Sequence, residues 1–324
     1  RISLAAPARN QVTPPDTYAT ISRLDFQKPR RNLVYLFLES FERSYLDPAR
    51  FPGLAPNLTR LEHEALSFTD IRGTGLVSWT VAGMAASLCG TPLFGGAGNS
   101  MTRIGAFMPG ASCLSDLLTA EGYTADFLGG ASLDFAGKGL FLQSHGFDHA
   151  EGRDELAPLL APGETLSSWG LYDDTLYRLA ADRFETLAAK ADPFALVLLT
   201  LDTHHPSGYP SPSCAGITYG DGTDPMLNTL HCADKLAGAF IDQLRASPAF
   251  KDTVLVVASD HLAMPNTVWD RLETGPRQNL LMMFGTGIAA RQDPKPGATL
   301  DIAPTPTTLI GAPTAALGFG RSLL

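Results

Sequence analysis

Three apolar runs in this chain stop abruptly at metal-type side chains, and that pattern admits few folds. Asn32-Leu-Val-Tyr-Leu-Phe-Leu38 stops at Glu39-Ser40. Leu196-Val-Leu-Leu-Thr-Leu runs into Asp202-Thr-His204-His205, and Thr253-Val-Leu-Val-Val-Ala-Ser stops at Asp260-His261. Unbroken apolar runs belong to parallel strands covered on both faces; a half-exposed strand alternates instead. Open α/β sheets bind their ligands just beyond the carboxyl ends of the strands. Three such strands would deliver Glu39, His204, Asp260 and His261 to one crevice. Carboxylate with imidazole is a ligand set for a divalent cation. Asp260-His261 carries the most weight, because two such side chains directly after an apolar strand have no place in a core without partners.

The rest of the chain fits that frame. Strands are expected over about 33–38, 123–128, 194–201, 253–258 and 280–284. Helices are expected over about 56–66, 80–90, 115–122, 173–190 and 230–246. Pro56 stands near the start of the first helix, and Gly90 with Pro92 stops the second. Leu176, Leu179, Ala180, Phe184 and Leu187 form the apolar face of the long fourth helix. Alternating strands and helices argue for an α/β fold with a mostly parallel central sheet covered by helices on both faces. Residues 1–30 are polar and proline-containing and read as a linker or arm, leaving 31–324 as the catalytic domain. Loops are expected at 70–80 and 206–225, with a glycine-rich excursion over 94–111.

Composition excludes several classes. The chain carries 24 basic and 33 acidic residues, a net charge of -9, and no Lys/Arg cluster, which argues against a nucleic-acid partner. No run of about 18 apolar residues is present, so no membrane span is expected. The chain begins without Met in a polar stretch and reads as a processed or truncated product whose targeting segment is missing. Cys89, Cys113, Cys214 and Cys232 include no C-x-x-C spacing, which weakens a zinc-cluster reading. They fall into two sequence-local pairs, each closing a loop worth roughly 3 kcal/mol as a disulfide. Four cysteines allow three connectivities, and four buried thiols remain the alternative. Disulfides would place the chain in an oxidising compartment.

Thr80 sits where a glycine-containing loop meets a helix start, and free amide groups with the positive dipole end make such a terminus a phosphate or sulfate site. A threonine hydroxyl becomes a nucleophile only with a base or metal beside it, which Glu39, Asp260 and His261 would supply. A lone Thr in this position is more commonly an N-cap. Ser78 is a neighbouring candidate by spacing.

Taken in order, the motifs resemble a known family. Asn32–Arg43, Ser78-Trp-Thr80-Val-Ala-Gly-Met84 through Cys89-Gly-Thr-Pro-Leu-Phe94, Phe135-Ala-Gly-Lys138, Ser144-His-Gly-Phe-Asp-His149, Trp169-Gly-Leu-Tyr-Asp-Asp174, Asp202-Thr-His-His-Pro206 and Ser259-Asp-His-Leu-Ala-Met264 are similar to the bacterial phosphoglycerol transferases of the OpgB/MdoB type. The resemblance implies an alkaline phosphatase/sulfatase-like fold, related to lipoteichoic acid synthases. It implies transfer of phosphoglycerol from phosphatidylglycerol, or from a substituted glucan, to osmoregulated periplasmic glucans. Under it, Glu39, Thr80, Asp260 and His261 hold one divalent cation, Mn2+ first, with Mg2+ or Zn2+ as alternatives. Thr80 becomes the nucleophile, and His204, His205, Trp169 and Lys138 face the substrate. The family's cysteines match these four positions, which favours the local pairs Cys89–Cys113 and Cys214–Cys232. The resemblance also implies a periplasmic location, with the full-length form anchored in the membrane.

Two departures stand out. No membrane span accompanies the chain, and Asp134 occupies a position where the family pattern has arginine. Cys89-Gly-Thr-Pro92 differs from the C-x-P-x-R of sulfatases with a modified cysteine, so Cys89 is no nucleophile. Several other residues have plainer readings. The alternatives are that His205 serves as a turn residue before Pro206, that His145 and His149 are structural, that Trp169 belongs to the core, and that Lys138 is a solvated loop charge rather than an anion contact. Two rival functions remain: a phosphodiesterase, phosphatase or sulfatase using water as acceptor, and a non-catalytic glucan-binding protein of the same fold.

Overall fold

The computed structural model describes residues 18–27, 29–73, 76–93, 101–102, 105 and 107–324. The chain runs through β1 (Asn32–Leu38), α1 (Pro56–Glu64), β2 (Leu66–Arg72), α2 (Thr80–Cys89), α3 (Leu114–Ala120), β3 (Thr124–Gly129), α4 (Lys138–Ser144) and β4 (His149–Glu151). It continues with α5 (Arg153–Leu156), α6 (Asp173–Ala188), β5 (Phe194–Leu199), α7 (Pro225–Ala246), β6 (Thr253–Ser259), α8 (Trp269–Leu272), β7 (Leu281–Gly285), β8 (Arg291–Ala298) and α9 (Thr305–Ile310). A short pair, β9 (Ala316–Leu317) and β10 (Gly320–Arg321), follows.

Eight strands form one sheet in the order β4-β3-β5-β1-β6-β7-β2-β8. β1 is central and parallel to both β5 and β6, with Phe37 beside Leu199 and Leu38 beside Ser259. β7 runs against both of its neighbours. Side chains alternate across a strand, and here both sets are apolar. Leu33, Tyr35 and Phe37 join Val197, Val256 and the α2 and α3 side chains on one face. Val34, Leu36 and Leu38 join Leu198, Val257 and the α1, α6 and α7 side chains on the other. The expected mostly parallel sheet with helices on both faces is therefore present. Because β1, β5 and β6 are parallel and in register, their carboxyl ends open on one edge.

Several elements differ from expectation. α7 begins at Pro225, about five residues early, because the Asp224 side chain accepts from the Leu227 amide at 3.0 Å and Pro225 suits the first turn. The first residues of the expected 70–80 loop complete β2, and residues 74–75 lie outside those described, as does much of the 94–111 excursion. β8 is an edge strand with two prolines and mostly exposed side chains, so no apolar pattern announces it. Of the expected arm, residues 1–17 lie outside the described set. From Ala19 it pairs with Gly318 through two backbone bonds of 2.8 and 2.9 Å and buries Leu24. No helix among the described residues is long and apolar enough to cross a membrane.

Both local disulfides are formed. Cys89–Cys113 ties the end of α2 to the start of α3, and Cys214–Cys232 ties the 206–225 loop to α7. α2 also depends on a glycine. A Cβ on Gly83 would stand 1.9 Å from the Asp260 carbonyl oxygen, so only glycine lets the helix press against the end of β6. Gly83→Ala is expected to cost about 2 kcal/mol or more. Gly110→Ala, where a Cβ meets nothing within 4 Å, should stay within about 0.5 kcal/mol. Thermal or urea unfolding of the two variants checks the contrast.

Candidate active site

The turn after β1 places Glu39, and the neighbouring strand ends lock it. The Glu39 amide donates to Thr200 Oγ1 at 2.9 Å, and the Thr203 hydroxyl donates to the Glu39 carbonyl. Ser40 adopts a left-handed φ of 53°, which turns its amide onto Asp260 Oδ1 at 2.8 Å and its hydroxyl onto Glu39 Oε1 at 2.8 Å. Asp260 Oδ1 also accepts from the His261 amide at 2.8 Å. One oxygen of Asp260 is thus held by two backbone amides, and the other is left to face Glu39 and His261.

His261 Nδ1 lies 2.7 Å from the Leu262 carbonyl, which only accepts, so Nδ1 carries the proton and Nε2 the lone pair. That lone pair lies 3.6 Å from Glu39 Oε1 and 3.3 Å from Asp260 Oδ2. Glu39, Asp260 and His261 are 3%, 0% and 1% exposed, and Asp260 Oδ2 and His261 Nε2 are buried without a hydrogen-bond partner among the described residues. Burial and the neighbouring Glu39 charge push Asp260 well above the ordinary carboxylate range. Burial acts on Glu39 in the same direction, but His261 and His204 outweigh it and hold Glu39 below that range. Two buried carboxylates and an imidazole lone pair aimed at one point repel each other unless a cation lies among them. Their donor atoms fall within 4.8 Å of one another. The residues fit a divalent cation.

Thr80 is the first residue of α2, and the extended residue before it is Trp79. Thr80 therefore is not the N-cap, and its Oγ1 reaches Glu39 Oε2 at 3.3 Å instead of capping the helix. The amide groups of the first turn and the positive end of the helix dipole face the same place. Ser78 is exposed two residues earlier.

A cleft of about 580 Å³ opens beside Thr80, lined among others by Trp79, Phe135, Trp169, His204 and Tyr209. Trp169 is not core. Its ring lies 4.3 Å from His204, Phe135 meets it edge-on at 5.2 Å, and its Nε1 donates to the Tyr209 hydroxyl at 3.0 Å. His204 Nδ1 lies 2.8 Å from the His205 carbonyl, which leaves Nε2 free to meet a ligand, and His205 stacks on His204 at 4.7 Å. Burial pushes His205 below its ordinary value, with the His204 charge adding to it. Lys138 is not a solvated loop charge. It opens α4, is 3% exposed, and shares a wall with Glu39, Thr80 and His204. Burial lowers it to about 8, against the opposing pull of Glu39 and Glu155.

Other residues find different roles. Asp202 stays apart from the ion-type cluster. It accepts from the Asp173 amide at 3.1 Å and from the Ser211 hydroxyl, while Asp173 accepts from the Leu201 amide at 2.7 Å. This buried pair stitches the His204 loop to the start of α6, and burial raises both carboxyls, Asp173 to about 7. His145 is buried against Asp116 at 3.0 Å and the Phe107 carbonyl at 2.8 Å, and His149 is exposed on β4, so both lie away from the cleft. Ser40, Thr200, Thr203 and Asp173 went unnoticed in the residue pattern. Each is an ordinary strand-end or helix-start residue whose task depends on what folds against it.

Comparison with known proteins places this geometry. The family model described as Sulfatase matches residues 31–312. Phosphoglycerol transferase I of Xanthomonas euvesicatoria pv. vesicatoria is 42% identical, with 97% of this chain and 46% of that protein covered. The chain thus spans about half the length of the curated relatives it matches. A protein of the alkaline phosphatase superfamily from Vibrio parahaemolyticus is similar in structure, with a TM-score of 0.76, 25% identity, and coverage of 98% of this chain and 75% of that one. The lipoteichoic acid synthase LtaP from Listeria monocytogenes shares the fold, with a TM-score of 0.71, 17% identity, and coverage of 92% and 78%. With the model spanning nearly all of the described sheet, the chain belongs to the Sulfatase family.

Proposed function

We propose that this chain is the catalytic domain of a phosphoglycerol transferase acting in the periplasm. It takes phosphoglycerol from phosphatidylglycerol or from a substituted glucan and passes it, through a phosphoglycerol-Thr80 intermediate, to sugar hydroxyls of an osmoregulated glucan. The observation that carries this reading is the Thr80 hydroxyl at the start of α2, 3.3 Å from Glu39, beside the orphaned atoms of Asp260 and His261. The name of the 42% identical relatives supports the transferred group. The open, aromatic-lined cleft supports a sugar acceptor over a small molecule. Membrane anchoring of the full-length protein, through a segment outside this chain, belongs to the same proposal.

Glu39, Thr80, Asp260 and His261 would hold one divalent cation, Mn2+ in this reading with Mg2+ or Zn2+ matching the same donors, which when bound supplies Lewis acidity to a hydroxyl and to phosphoryl oxygens. The chain's own groups do the rest. Thr80 Oγ1 bonds to phosphorus in line with the departing alcohol, and its hydrogen bond to Glu39 marks where its proton leaves. The first-turn amides of α2 and the Lys138 ammonium face the phosphoryl oxygens. His204 Nε2 protonates the departing alkoxide, and in the second half it accepts the proton of the entering sugar hydroxyl. Trp169 and His205 border the glycerol.

Incubation with phosphatidylglycerol and unsubstituted periplasmic glucan, followed by mass spectrometry, tests the reading. Phosphoglycerol on the glucan is expected; release of free phosphoglycerol alone would make the enzyme a hydrolase. Thr80→Ala should lower transfer by about 10³-fold or more while leaving the melting temperature close to the parent's. Metal analysis should find one divalent ion per chain, absent from Asp260→Asn, and chelation should abolish transfer. Protonated Lys138 is the anion-binding form and its value is depressed to about 8. kcat/KM for the donor is therefore expected to fall as pH rises through about 8, and Lys138→Met should lose that limb of the profile.

A further inference from the structure

A second compartment of about 490 Å³ adjoins the cleft beside Thr80. The two share Ser78 and Met264 as walls, so they lie side by side, and Ser78 stands two residues before Thr80. Val77, Leu262, Pro265, Trp269 and Arg277 complete much of the second compartment. Its chemistry differs from that of the first. The first is bordered by His204, His205 and, through the inner wall, Lys138, all suited to a phosphate. The cation of the second is already committed: Arg277 Nε lies 3.1 Å from Glu42 Oε2, and Nη2 donates to the Ala263 carbonyl at 2.7 Å. The same guanidinium lies 4.4 Å over the Trp269 ring. Glu42 is fully buried and also accepts from the Ala263 amide at 3.0 Å, so the chain Glu42–Arg277–Trp269 fixes one indole in the wall of the compartment.

We propose that this Trp269 compartment is the subsite for a neutral sugar ring of the acceptor. The proposal rests on the transfer reading above. In two successive in-line displacements, the alcohol that enters and the alcohol that leaves occupy the same side of phosphorus, opposite Thr80. The acceptor therefore enters on the side that the lipid alcohol vacates, and its sugar ring needs a seat on the cleft apart from the groups that hold the phosphate. A pyranose lays its C–H face on an indole and turns its hydroxyls outward, which suits a compartment with an aromatic wall, a hydroxyl rim at Ser78 and no free charge. The guanidinium stacked on Trp269 restrains the platform before the sugar arrives, so less ordering is required on binding.

The test separates the two half-reactions. Release of the lipid alcohol from phosphatidylglycerol in a single turnover reports the donor half, and the KM for unsubstituted periplasmic glucan reports the acceptor half. Trp269→Ala is expected to raise the acceptor KM by about tenfold, with single-turnover release within twofold of the parent. Trp269→Phe, which keeps a ring and carries the test should the alanine variant fail to fold, should fall between. An unchanged acceptor KM in both variants overturns the proposal. So does slowed alcohol release with an unchanged acceptor KM, which would give the compartment to the lipid. Calorimetric binding of the glucan, present in the parent and weakened about tenfold in Trp269→Ala, reports on the subsite without turnover. Binding without any transfer by the parent would count against the transfer reading and leave the subsite standing.

Discussion

Everything at the functional edge of this protein follows from one electrostatic conflict. Glu39, Asp260 and His261 converge in a place where water cannot screen them, with an imidazole lone pair 3.3 and 3.6 Å from carboxylate oxygens. Isolated charges in such surroundings cost several kcal/mol each. The arrangement persists because the fold around it is over-determined and because the three groups together match the needs of a divalent cation. Thr80 enters the same cluster through Glu39, so the candidate nucleophile and the ion site share a carboxylate.

The scaffold resolves the conflict by fixing backbone rather than by adding charge. Ser40 in a left-handed conformation holds Asp260 Oδ1, while Thr200 and Thr203 hold the backbone of Glu39. Gly83 admits α2 to the end of β6, and the Cys89–Cys113 bridge secures the far end of that helix. On the other side, Asp173, Asp202 and Ser211 tie the His204 loop to α6. Each half of the crevice thus hangs on a different set of buried hydrogen bonds, and β1 lies between them. Such support lets a site with unpartnered polar atoms keep its shape.

How much of this was legible in the residues depends on burial. β1, β5 and β6 are unbroken apolar runs and were found almost to the residue, because a strand covered on both faces leaves no other reading. β8 was invisible, since an edge strand with prolines and exposed side chains looks like a loop. The start of α7 was set late because Asp224-Pro225 was read as loop rather than as cap and first turn. Asp202 follows β5 and was assigned no task by the residue pattern. It supports the His204 loop, since the turn points its carboxylate toward α6 rather than toward Asp260.

Residue order alone settled the fold class, the parallel core and the edge at which chemistry had to occur. Strand hydrophobicity and the polar residues that end each strand are local properties written in consecutive positions. Tertiary structure decided which of those polar residues meet. It separated Asp202 from Glu39, Asp260 and His261, and moved Thr80 from a helix cap to a partner of Glu39. It buried Lys138 beside Glu39, Thr80 and His204 and set a second compartment against the cleft at Ser78. Those outcomes depend on side-chain direction and on contacts between segments far apart in the chain. A few ångströms of placement separate a ligand from a structural hydrogen bond, and no local pattern encodes that distance.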